Sequence, residues 1–188
     1  IILLRFKPDA VIGTGGFASW PLLQVAQWLN YPTIIQEQNS FPGIANRILG
    51  KKANRVCVAY EKMEDYFPPY KLRLTGNPIR FNMLSSAITA SAAKRFFGLN
   101  PQKPTLIVIG GSLGAKRINE LVAKELFFFK THDFQILWQC GKLYFNKYKT
   151  LSSPEVVIKS FVYEMEKLYA AADIIISRAG AGSLSELS

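Results

Sequence analysis

Eight short apolar runs alternate with stretches of helical spacing, and this alternation constrains the fold of the 188-residue chain more than any other feature. The runs are rich in valine, isoleucine and leucine, and each is too short for a typical helix. Apolar runs separated by helices are typical of parallel sheets with helices on both faces, so we predict an α/β fold. The predicted strands are residues 10–13, 33–36, 55–59, 72–74, 105–109, 135–139, 156–159 and 174–177.

Predicted helices lie between these strands, and the alternation pauses once, near Arg80. A small, polar stretch separates that residue from the next helix and strand. We therefore predict two Rossmann-like lobes, residues 1–80 and 81–188, with ligands at the carboxyl ends of the strands, in a cleft between the lobes. The predicted helices lie near residues 21–29, 43–52, 61–66, 87–97, 118–129, 144–150 and 165–171.

The charge balance restricts the partners that this chain can bind. Lys and Arg number 23 against 13 Asp and Glu, a net charge of +10, which suits phosphorylated molecules, an anionic membrane surface or nucleic acid. The basic residues are scattered and accompany no nucleic-acid-binding signature, so we expect no nucleic acid partner. The two cysteines and the single histidine form no ligand cluster, so no metal site is predicted.

A glycine-rich turn follows the first predicted strand. Gly13, Gly15 and Ala18 fit the G-x-G-x-x-A pattern of dinucleotide-binding proteins, and Glu37 lies at a suitable distance to hold a ribose. This interpretation would make the protein a nicotinamide-dependent oxidoreductase. Such turns are also frequent where the backbone must approach a ligand or another loop closely, so both interpretations stay open here.

A similar turn, residues 110–117, follows the strand predicted at 105–109. Its backbone N–H groups, the Ser112 hydroxyl and two cations at a helix start would suit an anion. It is not a P-loop, because Ala115 stands where the Walker glycine precedes the lysine. A tight turn that packs a helix on the sheet is an equally good interpretation.

The last predicted strand leads into a third turn, which carries Arg178 and two glycines. Ser183 is placed to cap the following helix, with Glu186 three residues later. This spacing predicts a capping box, or a diphosphate site at the start of that helix.

Two polar strings follow strands in the first half of the chain. Residues 36–39 are four consecutive polar residues, which either line a cleft or form a hydrogen-bonded turn. The string 75–80 ends on Arg80, which suits a bidentate contact with a phosphate or an interdomain salt bridge.

Taken together, these five strings and a sixth at residues 42–46 resemble the MurG family, the UDP-N-acetylglucosamine transferases of peptidoglycan synthesis. They occur in the order of that family, at compatible spacing, and the likeness covers essentially the whole chain. The resemblance implies the GT-B architecture, two Rossmann-like domains that need no metal and no cofactor. The strings begin at Gly13, Glu37, Pro42, Thr75, Gly110 and Arg178.

The resemblance also implies a role for individual residues. In the second lobe, the donor UDP-N-acetylglucosamine would place its uracil near Phe161, Val162 and Met165, and Glu186 would hold the ribose. In the first lobe, the acceptor undecaprenyl-diphosphate-muramyl-pentapeptide would face Gly15, Gly16 and Asn39. Around the donor diphosphate would lie Ser112, Ala181, Gly182 and Ser183, with Arg178 and Arg80 close by.

The implied reaction is an inverting transfer that converts lipid I to lipid II. The 4-hydroxyl of the acceptor sugar attacks the anomeric carbon of the donor, and UDP departs. The family's first glycine loop would precede Ile1, and its sugar-reading glutamines would follow Ser188. We therefore expect a fragment that lacks both ends, with its catalytic base outside the chain and without activity by itself.

The resemblance further implies a peripheral protein at the cytoplasmic face of the bacterial inner membrane. Trp28, Lys51, Lys52 and Arg55 are candidate members of the membrane-binding patch. For each residue alone, a place in the helix–sheet core or on a solvated basic face is an equal alternative.

Three departures from the family leave other functions open. Gln36 replaces a frequent histidine, Leu113 replaces a glutamine, and Trp20 replaces a small residue. The alternatives are another GT-B enzyme of nucleotide sugars, such as a glycolipid transferase or a UDP-sugar epimerase, and a nucleotide-binding oxidoreductase or non-catalytic nucleotide-binding module.

Overall fold

The computed structural model describes residues 2–80 and 87–188. The chain divides into two compact units, Ile1–Pro78 and Ile79–Ser188. Each unit contains one four-stranded sheet, and all neighbouring strands within each sheet are parallel. The predicted parallel α/β architecture is therefore confirmed. The functions expected for lobes 1–80 and 81–188 stay predictions, and residues 81–86 of the predicted connection lie outside the described part.

In the first unit, the strands follow one another across the sheet in chain order. Because all four strands are parallel, their carboxyl ends lie at one edge of the sheet. The elements are α1 (Ile2–Phe6), β1 (Val11–Gly13), α2 (Ser19–Trp28), β2 (Thr33–Glu37), α3 (Ile44–Gly50), β3 (Arg55–Val58) and β4 (Leu72–Leu74).

The described helices cover this first sheet mainly on one face. Ile35 and Val56 are fully buried there, in a cluster that also contains Leu23 of α2 and Leu49 of α3. Successive strand residues point to opposite faces, and Ile12 on the other face is 64% exposed. The alternation of buried and exposed positions along β1–β3 follows from this one-sided cover.

In the second unit, the order across the sheet is β7-β6-β5-β8. The strands are β5 (Thr105–Ile109), β6 (Gln135–Gln139), β7 (Val156–Lys159) and β8 (Ile174–Ser177). The helices are α4 (Ala90–Phe96), α5 (Lys116–Thr131), α6 (Phe145–Tyr148), α7 (Met165–Ala170) and α8 (Ala181–Leu187).

The two central strands of the second sheet, β5 and β6, are buried on both faces. Ile107 of β5 belongs to a cluster that includes Leu168 of α7. Its neighbours in the strand, Leu106 and Val108, belong to a different cluster with Val122 of α5. Both faces of β5 and β6 therefore exclude water, which is why these strands read as continuous apolar runs.

All eight predicted strands are present, with ends that differ by one residue at most, but one predicted helix is wrong. Residues 61–66 form turns instead. Lys62 has φ +59°, a left-handed conformation that interrupts a right-handed helix. The Met63 carbonyl accepts the N–H groups of Tyr66 and Phe67, and Met63 and Phe67 are buried. The apolar spacing therefore reflects two anchors of a tight turn.

Within residues 2–80 and 87–188, no helix combines the length and the apolar character needed to cross a bilayer.

Candidate functional site

The strand order of the second sheet reverses beside β5, because β6 and β7 lie on one side of it and β8 on the other. In open parallel sheets, ligands bind outside the carboxyl ends of the strands at such a reversal. The loops after β5 and β8 meet here around a pocket of about 350 Å³. Its lining consists of Ile109, Gly110, Gly111, Arg178, Ala179, Gly180 and Ser183.

This pocket, which we call the switch-point pocket, brings together two of the predicted diphosphate residues, Arg178 and Ser183. Ala181 and Gly182 begin α8 directly beside it. Ser112 is exposed and follows Gly111 in the loop after β5. The pocket thus combines one guanidinium, one hydroxyl and glycine backbone, a set of groups that suits an anion.

The loop after β5 has its shape because bare backbone approaches another loop closely. Gly114 has φ +88°, and a Cβ there would overlap the carbonyl oxygen of Cys140. Gly141, with φ +87°, lies against Gly114 from the other side. Only glycine fits both positions, so this part of the loop packs tightly against the loop after β6.

Gln139, the last residue of β6, connects two of the predicted binding loops. Its side chain is almost fully buried. Its amide Nε2 donates to the carbonyl of Gly111 at 3.2 Å, and its Oε1 accepts the N–H of Val162 at 2.8 Å. Sequence reasoning missed this residue, although a polar residue that ends a fully buried strand is a usable signal.

The residues predicted to receive a uracil lie in and after the loop that follows β7. Val162 is buried, and its N–H is already engaged by Gln139. Met165 begins α7 and packs in the core cluster beneath it. Phe161 is half-buried and makes an edge contact with the ring of Tyr163. Met165 therefore supports this loop from the core.

Glu186 and Arg80, predicted to contact the ribose and the phosphates, are paired with each other. Arg80 Nη1 donates to Glu186 Oε1 at 2.6 Å, and the Tyr169 hydroxyl donates to Oε2 at 3.1 Å. The Glu186 side chain is only 12% exposed, whereas that of Arg80 is 53% exposed. Burial, the negative charge of Glu186 and this hydrogen bond raise the pKa of Tyr169 to about 12, against an opposing effect of Arg80.

The predicted capping box at Ser183 and Glu186 is wrong. Helix α8 begins at Ala181, and Gly180 takes the cap position with an extended backbone and no side-chain cap. Ser183 therefore lies inside the first turn, and the Glu186 carboxylate is bound by Arg80 and Tyr169.

The first unit has its own pocket, of about 520 Å³, between the turn after β1 and the start of α3. All three residues predicted to face an acceptor, Gly15, Gly16 and Asn39, line it. Its wall is largely apolar, and we call it the apolar pocket. The apolar side chains among its lining residues are Phe17, Trp20, Ile44, Ala45 and Ile48.

Glu37 builds the polar edge of the apolar pocket. Its Oε1 accepts the backbone N–H and the side-chain amide of Asn39, at 2.9 and 3.1 Å. Its Oε2 accepts the N–H of Gly43 at 3.1 Å and the amide of Asn46 at 2.9 Å. These four bonds explain how a carboxylate that is 2% exposed is tolerated there. They also occupy the oxygens that a dinucleotide ribose would need.

The two polar strings of the first unit meet through Asn77. Gln36 Nε2 donates to Asn77 Oδ1 at 3.3 Å, and Asn77 Nδ2 donates to the carbonyl of Gln38 at 3.1 Å. Both interpretations of residues 36–39 therefore apply: these residues form a hydrogen-bonded network, and residues 37–39 also line the apolar pocket.

Sequence models of one family match both ends of this chain. The model of the glycosyltransferase family 28 N-terminal domain matches residues 1–58, and that of the C-terminal domain matches residues 105–188. The chain belongs to glycosyltransferase family 28. The matched residues include those that line the switch-point pocket and the apolar pocket.

Curated members of the family resemble the chain along almost its whole length. A protein of Flavobacterium psychrophilum is 54% identical over 187 residues, and one of Christiangramia forsetii is 53% identical over 186 residues. Both are called UDP-N-acetylglucosamine–N-acetylmuramyl-(pentapeptide) pyrophosphoryl-undecaprenol N-acetylglucosamine transferase. Each match covers 99% of this chain and 51% of the relative. The chain therefore spans about half the length of these relatives.

Two solved structures share the fold of this chain. MurG of Acinetobacter baumannii is 29% identical to this chain and superposes with a TM-score of 0.65 over 98% of this chain and 51% of that one. The glycosyltransferase SnogD of Streptomyces nogalater is 17% identical and superposes with a TM-score of 0.59. That match covers 98% of this chain and 53% of SnogD. The second likeness concerns the fold alone, and both neighbours support the predicted GT-B architecture.

Proposed function

We propose that this chain carries donor and acceptor sites for transfer of N-acetylglucosamine from UDP-N-acetylglucosamine to the 4-hydroxyl of undecaprenyl-diphosphate-linked N-acetylmuramyl-pentapeptide. The observation that carries the proposal is the switch-point pocket, where glycine backbone and Arg178 line the carboxyl ends of β5 and β8. The relatives at 53% and 54% identity bear the name of this activity.

In this proposal, the switch-point pocket binds the diphosphate of the donor. Arg178 and the glycine backbone contact the phosphate oxygens, with Ser112 and Ser183 as hydroxyl donors and Ala181 and Gly182 beside them. Negative charge grows on UDP as the anomeric carbon is attacked. Donors already in position stabilise that charge, and removal of one such donor typically costs about 3 kcal/mol of transition-state stabilisation.

The nucleoside end of the donor lies toward α7 and α8. Glu186 accepts the ribose hydroxyls, because a carboxylate has acceptor positions on both oxygens. Arg80 is more than half exposed, so its guanidinium is able to exchange Glu186 for a phosphate. Phe161 and the backbone near Val162 border the uracil.

The apolar pocket of the first unit suits an amphipathic acceptor. Gly15, Gly16 and Asn39 form a polar side, where backbone and amide groups suit a diphosphate. Trp20 and Ile44 belong to the apolar wall, where the first isoprene units pack. A lipid-linked diphosphate sugar has this combination of a polar head and an apolar chain.

We also propose that the first unit binds the anionic surface of the cytoplasmic face of the bacterial inner membrane. Trp28 is 67% exposed at the end of α2, which argues against a place in the core. Lys51, Lys52 and Arg55 are exposed, and Lys52 borders the same surface hollow as Gln27, the neighbour of Trp28. An exposed tryptophan beside cations is typical of a membrane interface.

Separate titrations with UDP and with NADH test the donor site. We expect saturable binding of UDP, weaker binding in Glu186→Ala, and no response to NADH. Glu125→Ala is the matched control, since Glu125 is an exposed carboxylate of α5 in the same unit. Tight binding of NADH without a response to UDP would reject the transferase proposal in favour of the oxidoreductase.

Binding to vesicles tests the membrane proposal. We expect the protein to sediment with vesicles that contain anionic lipid, less so in high salt, and to lose this binding in Lys51→Glu/Lys52→Glu. Lys147→Glu/Lys149→Glu makes the same change of net charge on the second unit. Equal loss in both double variants would mean that net charge alone, rather than this patch, causes the attraction.

A further inference from the structure

We infer that Tyr169 is a positioning residue for nucleotide recognition, because its hydroxyl fixes the orientation of the Glu186 carboxylate for the two ribose hydroxyls. The inference rests on the proposed function, since it takes the ligand to be a uridine diphosphate. Tyr169 itself was not among the residues that the sequence pointed to, and it acts through Glu186 rather than by touching the nucleotide.

The hydrogen bonds of Glu186 leave an acceptor position on each of its two carboxylate oxygens. Arg80 donates to Oε1 at 2.6 Å and Tyr169 donates to Oε2 at 3.1 Å, so the two donors bind different oxygens. A carboxylate offers about four acceptor positions, two on each oxygen. Each of these two donors therefore leaves one position on its own oxygen, and the two hydroxyls of a ribose are a matching pair of donors.

The two partners of Glu186 are not equivalent once a nucleotide is bound. Arg80 is an exposed cation, and a diphosphate with two negative charges competes with one carboxylate for it. Tyr169 has no charge to be drawn away. When Arg80 moves to the phosphates, the tyrosine hydroxyl stays as the bond that keeps Glu186 in place.

Tyr169 is anchored well enough to do this. It lies on α7, packs against the buried cluster that contains Leu168 and Phe97, and is itself half-buried. Its raised pKa keeps the phenol protonated at physiological pH, so it is a donor there at all times. A half-buried, neutral donor restricts the rotamers of a nearly buried glutamate before any ligand arrives.

The test compares UDP with 2′-deoxyuridine diphosphate in direct binding titrations of the protein and of Tyr169→Phe. The phenylalanine keeps the ring that packs on the core and removes only the hydroxyl. We expect about tenfold weaker binding of UDP, as for loss of a hydrogen bond that orders a charged group, and a much smaller change for the deoxynucleotide. The preference for the ribonucleotide therefore shrinks.

Two further variants separate positioning from structural damage. Tyr31→Phe is the matched control, because it removes another tyrosine hydroxyl that donates a hydrogen bond, to the carbonyl of Leu3 in the first unit. Its binding of both nucleotides should equal that of the unaltered protein. In a Glu186→Gln background, Tyr169→Phe should change UDP affinity less than twofold, since the carboxylate that it positions is already gone.

The outcomes separate this inference from the proposed function. If the unaltered protein does not bind UDP, the donor-site proposal fails and the inference fails with it. If UDP binds but Tyr169→Phe weakens both nucleotides equally, or neither, the inference alone is overturned and the donor site stands. A loss of ribonucleotide preference in Tyr169→Phe that is absent in Tyr31→Phe supports it.

Discussion

Arg80 and Glu186 lie 106 residues apart in the chain, yet the guanidinium of one donates to the carboxylate of the other at 2.6 Å. Glu186 is nearly buried and Arg80 is not, so the pair has one fixed and one adaptable member. In the proposed donor site, the carboxylate would stay in position for the ribose, while the exposed guanidinium would exchange it for the phosphates.

Replacement of Arg80 by alanine should therefore affect the phosphates more than the nucleoside. We expect UDP to bind at least tenfold more weakly to Arg80→Ala, because a charge-assisted bond to phosphate is lost, while the weaker binding of uridine changes little. Paired calorimetric titrations with UDP and uridine measure this. Arg95→Ala, an exposed arginine of α4, serves as control. An equal loss for both ligands would contradict the phosphate role.

Glu37→Gln should destabilise the first unit by about 2–4 kcal/mol. Four N–H donors now converge on the two carboxylate oxygens, and the variant replaces one of these oxygens by an NH2 group. At least one donor therefore loses its acceptor, and another faces the N–H of the new amide. Urea unfolding, followed by tryptophan fluorescence, gives the free energy. Glu64 is exposed, so Glu64→Gln should change the free energy of unfolding by less than about 0.5 kcal/mol, as is usual for surface substitutions. Similar values for both variants would mean that the network is not stabilising.

The ion pair of Lys94 and Asp173 should make the stability of the second unit depend on pH. Burial alone would raise the pKa of Asp173, but hydrogen bonds from Lys94 and from the N–H of Thr105, and the charge of Lys94, lower it overall. A carboxyl group with a lowered pKa in the folded state stabilises the protein above its unfolded pKa. That contribution is lost as the pH falls below about 4, through the folded pKa.

Asp173→Asn checks this dependence. At pH 7 we expect the free energy of unfolding to fall by about 1–2 kcal/mol. The effect is smaller than for a fully buried ion pair, because Asp173 is about half exposed although Lys94 is nearly buried. Thermal unfolding measures this dependence between pH 5 and pH 3, a range that spans the unperturbed aspartate pKa of about 3.9. The difference in stability between Asp173→Asn and the unaltered protein should shrink as the pH is lowered through this range. Asp133→Asn removes one of two exposed partners of Lys103 and should change the stability much less than Asp173→Asn does. A difference independent of pH would contradict the assignment.

Gly114→Ala should disturb the loop that borders the switch-point pocket. The new Cβ would overlap the carbonyl oxygen of Cys140, so the loop backbone must shift. The backbone at residue 114 also has φ +88°, which strains any residue with a Cβ, and the two effects both destabilise the variant. We expect a loss of about 2–4 kcal/mol in unfolding and weaker binding of UDP. Gly43→Ala is the matched control, since its φ is −63° and nothing lies within 4 Å of a Cβ there. Equal stability of the two variants would show that the loop relaxes without cost.

The sequence alone predicted the features that depend on near neighbours in the chain. The apolar runs located all eight strands, since burial on one or both faces of a sheet leaves a pattern within four or five residues. The glycine turns after β1 and β5 were also evident, because their glycines directly follow these strands in the sequence. Residues 61–66 were misread as a helix, because Met63 and Phe67 have a helical spacing but anchor a turn.

Only the tertiary structure decided which polar groups meet. Gln139 joins the loops after β5 and β7, and Tyr169 holds Glu186, through contacts between elements that are distant in the chain. Ser183 looked like a helix cap, yet α8 begins two residues earlier and the carboxylate of Glu186 turns to Arg80. The local sequence shows which polar side chains are present. Their partners depend on how the sheet order brings the ends of β5 and β8 together, and no short-range pattern carries that information.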